Sequence, residues 1–266
     1  MEDPSNFNQS KWDELVARGV QYSRPLLDLN PTSARAFLDP YGLLGEVQGK
    51  DVLCLASAGG QQSAAFAVLG ARVSVIDLST AMLERDRQAA AHYRLPIDAQ
   101  QGDMRDLSRY PDRAFDLVYH PYSINFIPDP NPVFDEVARV LRPGGLYHLY
   151  FHNPFLMGTT EQDWNGEGYS MRVFYENGAE MVDDVWEFED EQGQLVRVEG
   201  PRAFRHNLGP LLNRLIGLGF LLLGMWEETG QPVDKDAAPG SWDHYLRVAP
   251  PFLSTWFAFR PGLKAP

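Results

Sequence analysis

Short apolar runs alternate along this chain with segments in which apolar residues recur at helical spacing. This alternation is typical of strands that are joined by helices, which form a parallel sheet with helices on both faces. The pattern therefore predicts an α/β fold, preceded over residues 1–45 by one or two helices that prolines interrupt. The predicted strands of the parallel part are 51–55, 73–76, 97–101, 115–119 and 146–151.

The helices between these strands begin and end at recognisable residues. One is expected over 61–69, with Gly70 at its C-terminus, and the next begins at Ser79 or Thr80. Asn131-Pro132 starts a third helix, because proline is favoured in the first helical turn. Its apolar positions run to Leu141, and Pro143-Gly144-Gly145 stops it.

The C-terminal part of the chain ends the sheet differently. A helix is expected from Leu208 to about Gly219, followed by apolar strands at 220–226 and 252–259. Only a proline-rich loop without a clear helix lies between these two strands, which predicts an antiparallel edge. With these two, the sheet has seven strands and is mostly parallel.

Residues 153–206 interrupt the regular alternation. The segment is acidic and rich in aromatic residues, and it contains a β-hairpin with strands near 187–189 and 195–199. We therefore divide the chain into an N-terminal helical segment, a main domain and a β-rich insertion, which is a candidate substrate lid. These parts are 1–45, then 46–152 together with 207–266, and 153–206.

Composition and charge argue against several classes of function. The net charge of −13 and the absence of a lysine and arginine cluster argue against a nucleic-acid substrate. Cys54 is the single cysteine, in an apolar run, so we expect a small buried hydrophobe. The polar N-terminus does not resemble a signal peptide, and the apolar run 215–226 is too short to span a bilayer. We expect a cytoplasmic protein with no membrane association and no metal site.

The first predicted strand ends in a turn of small residues, and the second ends in Asp77. Ala56, Ser57, Ala58, Gly59 and Gly60 leave room for a ligand to approach the backbone, and an acid one strand away accepts hydrogen bonds from ribose hydroxyls. A turn that binds pyrophosphate requires glycine at the places of Ala56 and Ala58. A nucleoside cofactor without phosphates, such as S-adenosylmethionine, tolerates alanine there better.

Several linked motifs resemble class I S-adenosylmethionine-dependent methyltransferases, whose fold is Rossmann-like and doubly wound. The similarity extends over roughly residues 50–152 and is closest to the small-molecule branch that includes quinone-biosynthesis methyltransferases. The motifs are the turn 56–60, Ile76-Asp77-Leu78-Ser79 with Met82, Gly102-Asp103-Met104, 115–118, and Leu141-Arg142-Pro143-Gly144-Gly145-Leu146.

The resemblance implies a set of residues that bind the cofactor. The turn would hold the methionine tail, Asp77 the ribose, and Asp103 the adenine amino group. One departure is that Cys54 stands where the family usually has an acid, which helps indirectly to bind the methionine amino group. His120, Tyr122 or Tyr22 could take over this contribution. The cofactor-binding residues expected on this basis are Tyr22, Ala56, Ser57, Ala58, Gly59, Gly60, Gln61, Asp77, Leu78, Met82, Asp103, Met104 and His120.

Candidate catalytic and substrate residues follow the fourth and fifth strands. His120 and His152 come at strand ends, where α/β sheets hold ligands, so either could serve as a general base. Tyr122, Trp164 and Tyr169 are candidate contacts for a small-molecule methyl acceptor.

Two other functions remain open at this point. A nicotinamide-dependent oxidoreductase would also use a strand, a small-residue turn and an acid, although the alanines and Gly102-Asp103-Met104 speak against it. A non-catalytic S-adenosylmethionine-binding protein would keep the cofactor site and transfer no methyl group.

Overall fold

The computed structural model describes residues 3–57, 59–181, 185–190 and 192–262, and Ala58 lies outside these ranges. Its core is a seven-stranded sheet in the order β10-β11-β5-β4-β1-β2-β3. The strands of this sheet are β1 (Asp51–Leu55), β2 (Arg72–Asp77), β3 (Ile97–Gln101), β4 (Phe115–His120), β5 (Leu141–His152), β10 (Phe220–Glu228) and β11 (Phe252–Phe259).

The first five strands are parallel, as predicted. Their carboxyl ends therefore lie at one edge of the sheet, where such folds bind ligands. Two groups of buried apolar side chains fill the two faces of the sheet. The helices are α1 (Ser5–Ala17), α2 (Pro31–Leu38), α3 (Gln62–Val68), α4 (Thr80–Tyr93), α5 (Asn131–Val140), α6 (Leu208–Leu218) and α7 (Trp242–Val248).

The antiparallel part of the sheet is confirmed, and its arrangement is specific. β11 runs antiparallel to both β5 and β10, so the reversed strand lies between β5 and the edge strand. The prediction of a plain loop between the last two strands is wrong, because α7 lies there. Ser241 caps it by accepting from the His244 N–H, and Tyr245 and Leu246 are buried. Seven helical residues among prolines and glycines are too few to show a periodic pattern.

The boundary between α5 and β5 also differs from the prediction. The helix ends at Val140, and Leu141 already begins β5 and pairs with Phe115. The pairing then shifts, and Leu117 pairs with Leu146. Pro143-Gly144-Gly145 therefore forms an irregularity within the strand, so the residues that were expected to stop the helix instead bend β5.

The insertion forms two small antiparallel pairs, β6 (Glu180–Met181) with β9 (Ala203–Phe204) and β7 (Trp186–Glu189) with β8 (Leu195–Val198). The second pair is the predicted hairpin.

Two buried asparagines connect the insertion to the main domain. The Asn8 side-chain amide donates to the carbonyl oxygens of Phe126 and Arg202 at 3.0 and 3.1 Å. The Asn125 amide donates to the Phe204 carbonyl at 3.2 Å. The insertion is thus hydrogen-bonded to α1 and to the 3₁₀ turn Ser123–Phe126.

Within the described part of the chain, no helix combines the length and apolar character needed to cross a membrane.

Candidate functional site

The turn after β1 has the backbone conformation of a ligand-binding turn. Ala56 has a φ of 46°, in the left-handed region that favours glycine, and Gly59 and Gly60 have φ values of 64° and 79°. A Cβ on Gly60 would lie 2.7 Å from the Arg85 carbonyl oxygen and 2.8 Å from the Pro25 Cβ. Glycine is therefore required at position 60, where α4 and the segment before α2 approach the turn closely.

Asp77 ends β2 at the same edge of the sheet. Its Oδ1 accepts from the Ser79 N–H at 2.8 Å, and the residue is 9% exposed. Burial raises the pKa of Asp77 to about 8; the negative charges of Asp86 and Asp13 add to this rise, and the Ser79 N–H opposes it. The Ser79 hydroxyl donates to Asp13 Oδ1 at 2.5 Å, so α1 lies against the start of α4.

The protonation of Asp77 leads to a prediction for cofactor affinity. Ribose hydroxyls donate best to an ionised carboxylate, whereas a carboxyl with a pKa of about 8 is mostly protonated at neutral pH. Binding must then release a proton. We expect the affinity for S-adenosylhomocysteine to fall about five- to tenfold from about pH 8 to about pH 7.

Calorimetry in two buffers of different ionisation enthalpy would detect the released proton. In the Asp77→Asn protein, the proton released near neutral pH should disappear. An affinity that is unchanged over this pH range in the unmodified protein would contradict the assignment.

Asp103 and Met104 follow β3 at the same edge. Arg105 holds the Asp103 carboxylate with Nε 3.0 Å from both oxygens and Nη2 2.6 Å from Oδ2. The same guanidinium contacts Asp3 and Ser5 before and within α1. Met104 is buried. The adenine contact stays a prediction for Asp103, whose carboxylate orientation is fixed by this arginine.

The two candidate histidines have different surroundings. His120 is fully buried, and its Nδ1 lies 2.9 Å from the Tyr147 hydroxyl; burial lowers its pKa to about 3. His152 is only partly buried, and its Nδ1 lies 3.0 Å from the Asn153 carbonyl oxygen. Because a carbonyl only accepts, Nδ1 carries the proton in neutral His152 and Nε2 carries the lone pair.

The other predicted residues fall into two groups. Tyr122 has a φ of 41° and lies beside His152, with ring centres 6.4 Å apart. Tyr22 contacts Phe188 of β7. Trp164 and Tyr169 instead pack on α7, where the Tyr169 hydroxyl lies 2.8 Å from His244 Nδ1. The structure therefore brings Tyr122, and not Trp164 or Tyr169, to the carboxyl end of β4.

The cofactor contacts of Ser57, Gln61, Leu78 and Met82 stay predictions. Ser57 is buried, and the Gln61 side chain donates to the Arg24 carbonyl at 3.0 Å. Leu78 is half-buried after Asp77, and Met82 is buried on α4.

Sequence reasoning missed two acids and one aromatic residue. Asp86 is fully buried on α4, and its Oδ1 accepts from the Gly60 N–H at 2.8 Å. It lies three residues after Leu83 and four after Met82, on the apolar face, and an acid in such a stripe was an available signal. Asp13 and Trp12 of α1 carried no local signal, because only the tertiary fold brings α1 to this edge.

The residues present fit S-adenosylmethionine. Asp77, the predicted ribose acid, ends the strand next to the turn, and Ser57 Oγ and Gln62 Oε1 are buried with no hydrogen-bond partner among the described residues. A parallel sheet with such a turn and acid at its carboxyl edge defines a nucleoside-binding α/β protein.

Comparison with known proteins identifies which one. Residues 53–149 match the methyltransferase domain family. The uncharacterized methyltransferase YbaJ of Bacillus subtilis is 32% identical over 186 residues, which cover 69% of this chain and 71% of YbaJ. The ubiquinone biosynthesis O-methyltransferase of Xanthomonas oryzae is 30% identical over 150 residues, which cover 54% of this chain and 61% of that relative.

Solved structures show the same fold. An S-adenosylmethionine-dependent methyltransferase from Mesorhizobium loti superposes with a TM-score of 0.60 at 23% identity, over 88% of this chain and 100% of that one. A second from Clostridium acetobutylicum has a TM-score of 0.58 at 15% identity, over 88% of this chain and 93% of that one. The chain belongs to the S-adenosylmethionine-dependent methyltransferase family, which confirms the cofactor and the enzyme class predicted from its motifs.

Proposed function

We propose that this methyltransferase acts on a small, partly apolar acceptor that is neutral or cationic. The observation that carries the proposal is an aromatic cluster beside the carboxyl end of β4, formed by Trp12, Tyr122, Phe126 and Trp186. Trp12 lies 5.1 Å from Phe126 and 5.9 Å from Trp186 between ring centres, and Tyr122 lies 5.5 Å from Phe126.

Three separate elements build this aromatic cluster: α1, the 3₁₀ turn after β4, and the hairpin of the insertion. Aromatic faces bind planar apolar rings with a large contact area. The acidic insertion disfavours a polyanionic acceptor. The relatives named ubiquinone biosynthesis O-methyltransferases support an oxygen acceptor on a small ring compound.

The cofactor, when bound, supplies a methyl group attached to a positively charged sulfur. After transfer of the methyl group, the rest of the cofactor is a neutral thioether and a good leaving group. The protein's own contribution is then to bind and orient the acceptor, exclude water and, where the acceptor enters protonated, accept its proton. For that last role we propose His152, because its Nε2 holds the lone pair and its ring borders Tyr122. We infer that His120, with a side chain buried toward Tyr147, contributes to the site through its backbone.

The lid role of the insertion stays a proposal, and we propose the β7–β8 hairpin as the part that carries it. Arg24 Nη2 donates to the Glu189 carbonyl at 2.9 Å, and Lys11 pairs with Glu199. The hairpin thus covers α1 and the residues that follow it. By contrast, removal of all of 153–206 would also take away the Arg202 carbonyl from Asn8 and the Phe204 carbonyl from Asn125.

Replacing Trp12 by alanine tests the acceptor proposal. We expect methyl transfer to phenolic and catecholic acceptors to fall about 30-fold or more, as for loss of a central aromatic contact. The affinity for S-adenosylhomocysteine should change by no more than about twofold, since the ring packs on Phe126 and Trp186. The measurement is S-adenosylhomocysteine formation over an acceptor panel, followed by mass spectrometry.

Phe174→Ala is the matched control, because this aromatic residue of the insertion is 88% exposed. It should transfer methyl groups at the native rate. Trp164→Ala tests the sequence-based alternative on α7. If Trp164→Ala loses activity and Trp12→Ala retains it, the acceptor binds at α7 and the proposal is wrong.

A further inference from the structure

Asp86 is a buried carboxylate behind the cofactor turn. It lies on the side of α4 that faces β1 and α3, and it is 0% exposed. Its Oδ1 accepts from the Gly60 N–H at 2.8 Å and from the Ser63 hydroxyl on α3. One oxygen atom therefore connects the turn, α3 and α4.

Asp86 forms no ion pair with any residue that the structure describes, and Oδ2 is buried with no hydrogen-bond partner among them. Burial raises the pKa of Asp86 to about 6, against the opposing hydrogen bonds from Ser63 and Gly60. The neighbouring Arg87, which pairs with Glu84, also lowers the pKa of this carboxyl through its charge, without pairing with it. An unpaired acid in such a place weakens the folded state, so packing alone does not account for it.

Asp86 binds Gly60, a turn residue whose two backbone polar groups are both hydrogen-bonded. Besides the Gly60 N–H, the Gly60 carbonyl accepts from the Leu26 N–H at 3.1 Å. Both polar backbone groups of Gly60 are therefore fixed from opposite sides, by α4 and by the segment before α2. Because glycine can adopt many backbone conformations, these two hydrogen bonds restrict Gly60 to one of them.

We propose that Asp86 is a positioning residue that fixes the Gly59–Gly60 turn for the amino-acid end of the cofactor. It acts through the Gly60 N–H and does not contact the adenosine. The proposal rests on cofactor binding and is independent of the acceptor proposed above, so a wrong acceptor would leave it standing.

Two ligands separate positioning from general stability. S-adenosylhomocysteine carries the amino-acid end, whereas 5′-methylthioadenosine has the nucleoside and thioether without it. We expect Asp86→Ala to weaken S-adenosylhomocysteine about tenfold or more, the usual effect of losing a hydrogen bond to a charged group. The affinity for 5′-methylthioadenosine should stay within about twofold of the native value, which also reports a folded nucleoside site.

Asp86→Asn tests whether the acceptor atom or the charge matters. The amide oxygen can still accept from Gly60 and Ser63, so this variant should restore S-adenosylhomocysteine affinity to within about threefold of native. If Asp86→Ala does not fold, Asp86→Ser replaces it, since the shorter hydroxyl cannot reach the turn.

A second rescue uses Cys54, which is buried in the same group of apolar side chains as Phe66 of α3 and Leu83 of α4; burial raises the pKa of its thiol, and the negative charge of Asp86 adds to this rise. Cys54→Asp in the Asp86→Ala background supplies a new carboxylate to this pocket and should recover part of the lost affinity. Equal losses for both ligands in Asp86→Ala, or native affinity for S-adenosylhomocysteine, would overturn the proposal.

Discussion

Replacing Asp77 by alanine is expected to lower the affinity for S-adenosylhomocysteine by about 10²–10⁴-fold, as measured by calorimetry. In the predicted binding mode each of the two ribose hydroxyls would donate to the carboxylate, and hydrogen bonds to charged groups contribute about 1.5–3 kcal/mol each. The full effect is expected near pH 8.5 or above, because the pKa of Asp77 is raised to about 8 by burial.

Asp98→Ala is the matched control, since Asp98 lies exposed on the neighbouring strand β3 and interacts with Gln100. It should bind S-adenosylhomocysteine like the unmodified protein. The stability of Asp77→Asn gives an independent check. At neutral pH the unfolded chain ionises Asp77 and the folded chain keeps it protonated, which weakens the folded state. The melting temperature should therefore stay the same or rise, while the affinity for S-adenosylhomocysteine falls.

Native affinity in the Asp77→Ala protein would mean that the ribose is bound elsewhere at this edge. Asp13 is then the first residue to test, because it shares Ser79 with Asp77 and comes from α1.

The elements predicted correctly from the sequence are those with a strong local pattern. β1 and β11 have the predicted limits, because turn residues bound each apolar run. The turn after β1 and Asp77 were predicted for a similar reason: chemistry and spacing lie within one strand-helix-strand unit of the chain. In these places local sequence and tertiary structure demand the same conformation.

The parts that were not predicted depend on distant segments. α7 is short and is held by contacts of Tyr245 with Thr159 and Tyr169, which belong to the insertion. Trp12 joins the aromatic cluster only because Asn8, four residues earlier, is hydrogen-bonded to the 3₁₀ turn and to Arg202. No local pattern carries such contacts, and the same applies to the partners of Asp86.

The two candidate bases illustrate the same limit. Both histidines end a parallel strand, so the sequence treats them alike. In the structure the two rings differ, because successive side chains of a strand point to opposite faces of the sheet. The His120 ring lies in the interior beside Tyr147, while His152 lies at the rim beside Tyr122 and Phe252.

Replacing His152 by alanine is expected to lower kcat by about 10²–10⁴-fold for an acceptor that enters as a neutral phenol. The protein should still bind S-adenosylhomocysteine, because the cofactor turn and Asp77 lie on other strands. An acidic acceptor that is already ionised at neutral pH needs no base, so its kcat should fall far less. Comparing the two acceptors distinguishes loss of the base from distortion of the acceptor site, because distortion would lower kcat equally for both acceptors.

The pH profile gives the same test in a second form. In the unmodified protein the rate with a neutral phenol should fall as the pH is lowered, because a protonated imidazole cannot accept a proton. The His152→Ala protein should lack this acidic limb for that acceptor. His92→Ala is a suitable control, since His92 is exposed on α4. A variant of His152 that keeps the acidic limb and its native kcat would show that the proton leaves by another route, with Tyr122 as the nearest alternative.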